Sequence, residues 1–499
     1  MNKILFRLGL LGIFLLSFSL RFWGLDRFNT LVFDEVYFAV FGNNYLIDKP
    51  FFNAHPPLSQ YLIGMGIWIS SHLPIKHDAV NSLTGSLLSP WDYRWMNAFT
   101  GSFIPLFVSL LTYQLSYRRS FSLLAGFFTA CDGLFLVESR YALSNIYIVI
   151  FGLLGHWLLL LALEKPKQKR WFWLILSGIF FGACVGTKWN GLWFLIGVYS
   201  LWIVVWIIKF LQSERFQPYH IPILPFLRLL NSSHTLEKYS NSQLKIPLVN
   251  LAEINIFEMI CYLGVIPGIV YSLIWIPHLQ LDKRYDFIEV HKQILGFHLR
   301  LGGDNIHPYC AAWYKWPLLT RPMAYYYETS QSIYDPLPVF GPALPGGYAK
   351  IVYDVHAMGN PFLWWFALAA IIFLLGFVMV KLAIPMVEKN RLFVPSNLSV
   401  DVWIGLYLVI NYVTNLLPWV KVTRCVFIYH YMTAIIFTFI AIAWIVDRTI
   451  NSYYPIVRAF GVTITFVIIA AFIFWIPIYL GLPLSMDAYQ ARMWFRSWI

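Results

Sequence analysis

Residues 31–62 read LVFDEVYFAVFGNNYLIDKPFFNAHPPLSQYL and follow closely on an apolar run at 5–24. An acidic pair, Asp34 and Glu35, and the sequence His55-Pro56-Pro57 thus stand beside the mouth of a hydrophobic span. The rest of the chain decides what that means. Its 499 residues are 59% hydrophobic and 12% charged, with a mean hydropathy of +0.63, whereas soluble domains carry about 25% charged residues. Most of the surface must face lipid. About 20 apolar residues cross a ~30 Å hydrocarbon core. Stretches of that kind lie near 5–24, 95–117, 121–137, 142–163, 171–187, 189–209, 257–277, 361–384, 401–418, 425–446 and 458–481. The expectation is an all-α integral membrane protein of about eleven transmembrane helices in one domain, 1–499.

Short loops orient it. Lys3, Arg118 and Arg119, the run KPKQKR at 165–170, Lys389, Arg391 and Arg448 share one side, which the positive-inside rule makes cytoplasmic. The amino terminus is then cytoplasmic and the carboxyl terminus external. Two long external segments, 25–94 and 278–360, are rich in Pro, Trp and Tyr, and a cytoplasmic loop spans 210–256. The apolar stretch 58–73 is short, about 24 Å as a helix, and reads as an interfacial helix in the first external loop. The net charge of +12 is dispersed among loops beside lipid, which speaks against a nucleic-acid partner. The five cysteines form no CxxC pair, and neither a disulfide framework nor a metal site is expected from them. Lys3 and Arg7 precede the first apolar run without an A-x-A site, as in an uncleaved anchor.

Ionisable residues at the edges of lipid-facing spans are costly and so are candidates for function. On this topology Asp34, Glu35, Arg94, Glu138, Arg140, Lys188, Lys421 and Arg424 gather at the external face. Each alone also has a structural reading. Asp34 is a favoured N-cap for a helix starting at Glu35. Arg94 and Lys188 suit snorkelling anchors, Glu138 and Arg140 an ion pair, Tyr325 to Tyr327 an aromatic belt, and His55 a turn. Their confinement to one face favours a shared site.

Several blocks resemble the protein O-mannosyltransferases, membrane glycosyltransferases of the GT-C class that use a polyprenyl-phosphate sugar. They are FDEVYFAVF (33–41) with NAHPPLSQYLIG (53–64), YRWMNAFTGSFIPL (93–106), LFLVESRYALSNIYIVIF (134–151), GTKWNGL (186–192), WPLLTRPMAYYYE (316–328), MGNPFLWW (358–365), NLLPWVKVTRCVFIYHYM (415–432) and GLPLS (481–485). They run in order through nearly the whole chain. Two sites depart from the pattern, at three residues: Glu138 stands where Gln is usual, and Ser144-Asn145 replaces Leu-Asp. The segment 278–360 is too short for the lectin-like insert of fungal and animal members, which suggests a bacterial-type enzyme of the inner membrane. A related class that transfers aminoarabinose to lipid A has Lys-Pro-Pro where this chain has His55-Pro56-Pro57.

The resemblance implies transfer of mannose from a polyprenyl-phosphate donor to Ser or Thr hydroxyls of proteins at the non-cytoplasmic face, with inversion. A neutral hydroxyl is a poor nucleophile, so a carboxylate must take its proton; a lipid phosphate leaves as a stable anion that cations can receive. Asp34 is the expected base, and Glu35 orients the base or the acceptor. His55, Arg94, Arg140, Lys188 and Arg321 are candidates for binding the donor phosphate. Trp189, Tyr325, Tyr326, Tyr327 and His430 are candidates for the sugar or lipid groove. No cofactor or obligatory metal is expected, since no EF-hand, HExxH or multi-His cluster occurs. The alternatives are a GT-C transferase of another sugar or to a lipid or glycan acceptor, and, more remotely, a transporter.

Overall fold

The computed structural model describes residues 1–74, 78–212, 246–302, 307–337, 350–388, 394–395 and 397–499. Most of the expected cytoplasmic loop, with Lys389 and Arg391, lies outside the described residues.

Every apolar stretch named above is helical. Helix α1 (Lys3–Phe22) leads to two helices of the first long loop, α2 (Glu35–Leu46) and α3 (Leu58–His72). Then come α4 (Pro90–Ser102) and α5 (Ile104–Ser116), which together form one span, and α6 (Arg119–Ala130) and α7 (Gly133–Arg140). Further on are α8 (Asn145–Leu163), α9 (Trp171–Val185) and α10 (Leu192–Gln212). Helix α11 (Ile256–Ile260) runs through a π turn into α12 (Ile266–Leu281), and α13 (Phe287–Arg300) follows. The last spans are α14 (Pro361–Glu388), α15 (Val400–Leu416), α16 (Met432–Ile450) and α17 (Pro455–Leu480). Nine helical segments among the described residues are long and apolar enough to cross a membrane, and the α6–α7 pair adds a tenth if taken as one broken span. Helix α9, with 15 residues, is the short eleventh.

Helix α16 lies at the centre, packed by α6, α14, α15 and α17; α1 shows most of its surface to lipid. Two local devices set the site. Between α6 and α7 the chain bends by 60°. There Asp132 caps α7 by accepting from the Phe135 amide at 3.0 Å, and its other oxygen accepts from Trp364 Nε1 at 2.8 Å. The restarted helix delivers Glu138 and Arg140 to the end of the bundle that holds Asp34. Helix α9 carries Gly178, Gly182 and Gly186 at intervals of four, facing α12. A Cβ on Gly178 would run into the Tyr262 carbonyl, and one on Gly182 would lie 2.9 Å from the Pro267 carbonyl. Small residues at this spacing let helix backbones approach in a membrane, and that contact anchors the turn that bears Lys188. The Gly186 carbonyl also accepts from the Leu58 amide at 3.1 Å, tying α3 to the same turn.

Two features were not foreseen. The segment 278–360 contributes two strands, β1 (Met323–Ser330) and β2 (Ile351–Ala357), to a small antiparallel sheet that β3 (Leu484–Ser485), after α17, completes in the order β1-β2-β3, so the helical fold is not purely α. The expectation of no disulfide is corrected as well: Cys310 and Cys425 are bonded, with Cα atoms 5.2 Å apart across 115 residues of sequence. Spacing along a chain does not reveal a pair that only the fold brings together.

Candidate functional site

The adjacent acids part company at the start of α2. Glu35 is fully buried and all its acceptor directions are filled. Its Oε1 receives Arg94 Nε at 2.9 Å and the Ala142 amide at 2.8 Å; its Oε2 receives Arg94 Nη2 and the Val32 amide, both at 2.8 Å. Arg94 gives its other N–H groups to the carbonyls of Leu25, Phe28 and Thr30 at 2.7–3.1 Å. Arg140 does likewise for the preceding turn, donating to the carbonyls of Leu20, Arg21, Trp23 and Gly24. Glu35, Arg94 and Arg140 therefore bolt the crossing from α1 to α2. This geometry does not favour the expectation that Arg94 and Arg140 bind the donor phosphate, because the guanidinium of Arg94 and both terminal nitrogens of Arg140 are engaged with backbone carbonyls and Glu35. Nor do Glu138 and Arg140 form the ion pair that their spacing suggested.

Asp34 occupies the N-cap position of α2 without a side-chain capping bond. Its half-buried carboxyl makes no hydrogen bond or ion pair among the described residues. Burial pushes it up to about 6, with Lys188 opposing. Lys188, after α9, is buried between the faces of Phe38 and Tyr429, its Nζ 5.6 and 5.5 Å from their ring centres. Burial lowers it to about 8 against the pull of Asp34 and Glu138. Its ammonium donates to Asn145 Oδ1 at 2.9 Å; Asn145 Nδ2 donates to Glu138 Oε2 at 3.1 Å; and the Tyr325 hydroxyl donates to Glu138 Oε1. The Tyr325 ring stacks on Phe33, next to Asp34, with centres 4.2 Å apart.

Cations and imidazoles complete the ring of groups. Arg424 donates to the Cys425 carbonyl at 3.3 Å, and among the described residues no carboxylate lies within ion-pair distance of it or of Lys188. The disulfide at Cys425 and the Ala311 amide bonded to the Val426 carbonyl at 2.8 Å hold its loop. Burial and the nearby charges of Lys188 and Arg424 keep His55 neutral, well below its ordinary value. Its ring lies 5.3 Å from that of His298, which burial lowers to about 4. Trp189 stands behind them, bonded to Tyr271 and stacked on His291. His430 stacks between Trp316 and Tyr429.

Other expected residues fall elsewhere. Arg321 donates to the carbonyls of Pro308, Ser497 and Ile499 and fastens the chain end, a geometry that does not favour the expected phosphate role. A register shift between Ala324 and Tyr326 splits the three tyrosines. Tyr325 points into the site, Tyr326 packs on Phe28, and Tyr327 faces Tyr489, half exposed. Asn145, His298 and Tyr429 were not singled out as site residues, and Arg424 was noticed only as one of the charges on its face. Among the described residues no three His, Cys, Asp or Glu side chains are grouped to hold a metal ion.

An under-paired acid facing unpaired cations at the end of a helix bundle suits transfer from a lipid-borne phosphate, and comparison with known proteins bears on this directly. Residues 12–281 match the family described as dolichyl-phosphate-mannose-protein mannosyltransferase, and residues 284–498 match its C-terminal four-span region. The chain belongs to this family. It is a multi-span membrane glycosyltransferase with the GT-C fold. The polyprenol-phosphate-mannose–protein mannosyltransferase of Mycolicibacterium smegmatis is 22% identical over 94% of this chain and 88% of its own length. That of Corynebacterium glutamicum is 20% identical over 89% and 81%. The Saccharomyces cerevisiae protein O-mannosyltransferase Pmt1-Pmt2 complex bound to the sugar donor shares the fold, with a TM-score of 0.74 at 13% identity, over 100% of this chain and 93% of that one.

Proposed function

We propose that this mannosyltransferase moves mannose from polyprenyl-phosphate mannose to Ser or Thr hydroxyls of proteins at the external face of the membrane. Asp34 is the base. It takes the hydroxyl proton as the acceptor oxygen forms its bond to the anomeric carbon. The bond from that carbon to the phosphate oxygen breaks, its electron pair stays with the polyprenyl phosphate, and one displacement inverts the configuration. Lys188 and Arg424 receive the phosphate charge, and neutral His55 donates to a phosphate or sugar oxygen. Arginine grips two phosphate oxygens at once, while lysine acts as a point charge. Trp189, Tyr325, Tyr429 and His430 line the way for sugar and lipid. In this reading side chains alone meet the leaving charge, without a metal.

The observation that carries the proposal is the Asp34 carboxyl, unbonded among the described residues and acted on by Lys188, with Arg424 acting on Lys188 in turn and neither cation paired to a carboxylate among those residues. The names of the relatives supply the donor and the acceptor class. External placement is supported by the Cys310–Cys425 bond, since disulfides persist outside the reducing cytosol, and by the basic loops at 118–119 and 165–170, at the opposite ends of α5 and α8 from the site. The test is purified protein in detergent or lipid with a panel of defined polyprenyl-phosphate hexoses and a Ser/Thr peptide, read by product mass. A peptide heavier by one hexose, only with the mannosyl donor, is expected. Glycosylation of a lipid acceptor instead of the peptide, or a preference for another sugar, overturns the assignment.

A further inference from the structure

The Proposed function assigns Lys188 a role but leaves the buried chain behind it, Lys188–Asn145–Glu138–Tyr325, without one. Glu138, Asn145, Lys188 and Tyr325 are at most 8% exposed. A buried carboxylate is costly unless its oxygens are satisfied, and those of Glu138 receive only neutral donors, Asn145 Nδ2 and the Tyr325 hydroxyl. Among the described residues its oxygens therefore have no cation in contact. The nearest use for it is the ammonium one amide away. Asn145 holds its NH₂ group toward Glu138 and its oxygen toward Lys188, so the amide is locked and polarised in the sense that favours a cation at Lys188.

We propose that Glu138 and Asn145 are a single positioning unit for Lys188, a carboxylate and a carboxamide that can trade places, whose one negative charge keeps the donor-binding ammonium charged and aimed. The exchange is chemically closed. With Gln at 138 and Asp at 145, the Asp carboxylate accepts from Lys188 directly and from the Gln Nε2, while the Gln Oε1 accepts the Tyr325 hydroxyl. Every hydrogen bond and the net charge survive. Either single change breaks the set. Glu138→Gln removes the charge, and Asn145→Asp puts two carboxylates side by side, which cannot both stay ionised cheaply.

The groups that face Lys188 are Asp34, Glu138, Arg424, His55, His298 and His430, with the phenol of Tyr429 beside it. Of the two acids, Asp34 is the base in this reading, which leaves Glu138 to supply the counter-charge. Burial already lowers Lys188 to about 8. Without Glu138 the ammonium loses its proton at a lower pH, and donor affinity goes with it.

The inference rests on Lys188 binding the donor phosphate, so the experiment separates the two. Donor KM and kcat are measured from pH 6 to 9 for the whole protein and for Glu138→Gln, Asn145→Asp, the double exchange and Lys188→Ala. Expected is a rise in donor KM of about tenfold in Glu138→Gln, the size of one charge-assisted contact, with kcat changed less. The pH at which KM climbs should shift downward, and the double exchange should return both to within a few-fold of the starting protein. Should Glu138→Gln fold poorly, Asn145→Asp against the double exchange reads the same coupling. A double exchange no better than the worse single variant, or a KM–pH curve unmoved by Glu138→Gln while Lys188→Ala still raises KM, overturns the unit alone. An unchanged KM in Lys188→Ala overturns the phosphate role and the unit with it.

Discussion

Two charged clusters meet at the start of α2, one residue apart in sequence and opposite in character. In the first, Glu35 and Arg94 are fully buried and paired through two bonds, with Arg94's remaining donors on backbone carbonyls. In the second, among the described residues, the half-buried carboxyl of Asp34 is unbonded and Lys188 and Arg424 have no contacting carboxylate. A saturated cluster has nothing left to give a substrate. An unsaturated one is held in a cost-bearing state that a phosphate and a hydroxyl relieve. The first cluster positions the second: by pinning the carbonyls of residues 25–30 it fixes where α2 begins, and hence where Asp34 stands.

The comparison breaks most visibly at the two acids. Asp34→Asn should lower kcat for a Ser/Thr peptide by about 10²–10⁴-fold, the usual contribution of a positioned general base, while donor binding stays near normal. Its melting temperature at neutral pH should hold or rise. A carboxyl whose folded value is raised disfavours the folded state above that value, so removing the charge relieves a cost. Residual turnover close to that of the starting protein would take Asp34 out of the mechanism. Arg94→Ala should do the reverse. Removing one partner of a buried pair costs about 3–5 kcal/mol, visible as a lower melting temperature in detergent, and the fraction that stays folded should retain its donor KM. A stable Arg94→Ala protein with a weakened donor KM would make Arg94 a phosphate ligand after all.

Next in size is Arg424→Ala. Loss of one charged hydrogen-bonding group to phosphate should raise donor KM by about 10–100-fold, with the melting temperature little changed because Arg424 has no carboxylate partner among the described residues. Arg321→Ala provides the contrast. Its guanidinium binds the Pro308 carbonyl and, far along the chain, those of Ser497 and Ile499, so donor KM should stay as it was while the melting temperature drops.

What was legible from sequence follows from the range over which each feature is determined. The spans were readable because hydropathy is local and lipid imposes its length. The gathering of charges at one face was readable because it needs only the parity of the spans. The division of labour between Asp34 and Glu35 was not, since Glu35's partner lies 59 residues away and nothing near either acid names it. The same distance problem hid the Cys310–Cys425 bond and left Arg94 and Lys188 looking alike, two basic residues beside spans. Tyr325 to Tyr327 read as one aromatic run, and only the register shift in β1 separates the tyrosine that reaches Glu138 from the one that faces out. His298 lay on an amphipathic helix, α13, where a histidine carries no mark of its own.

The smallest expected effect is also the sharpest test of the open cluster, because it needs two groups to be shifted in opposite senses. Asp34 works as a base only when ionised, and burial has raised it to about 6, so kcat/KM should fall as pH drops through that value. Lys188 binds phosphate only when charged, and burial has lowered it to about 8, so kcat/KM for donor should fall as pH rises through that value. The profile is a bell with its plateau between the two, whose limbs report the free enzyme. Asp34→Asn should flatten the acid limb of the residual activity and leave the alkaline one. Lys188→Arg, with a guanidinium that stays charged throughout, should push the alkaline limb out of range at some loss of rate. A limb that ignores its own variant belongs to another group, and for the alkaline limb the first to examine is the Tyr429 phenol beside the ammonium.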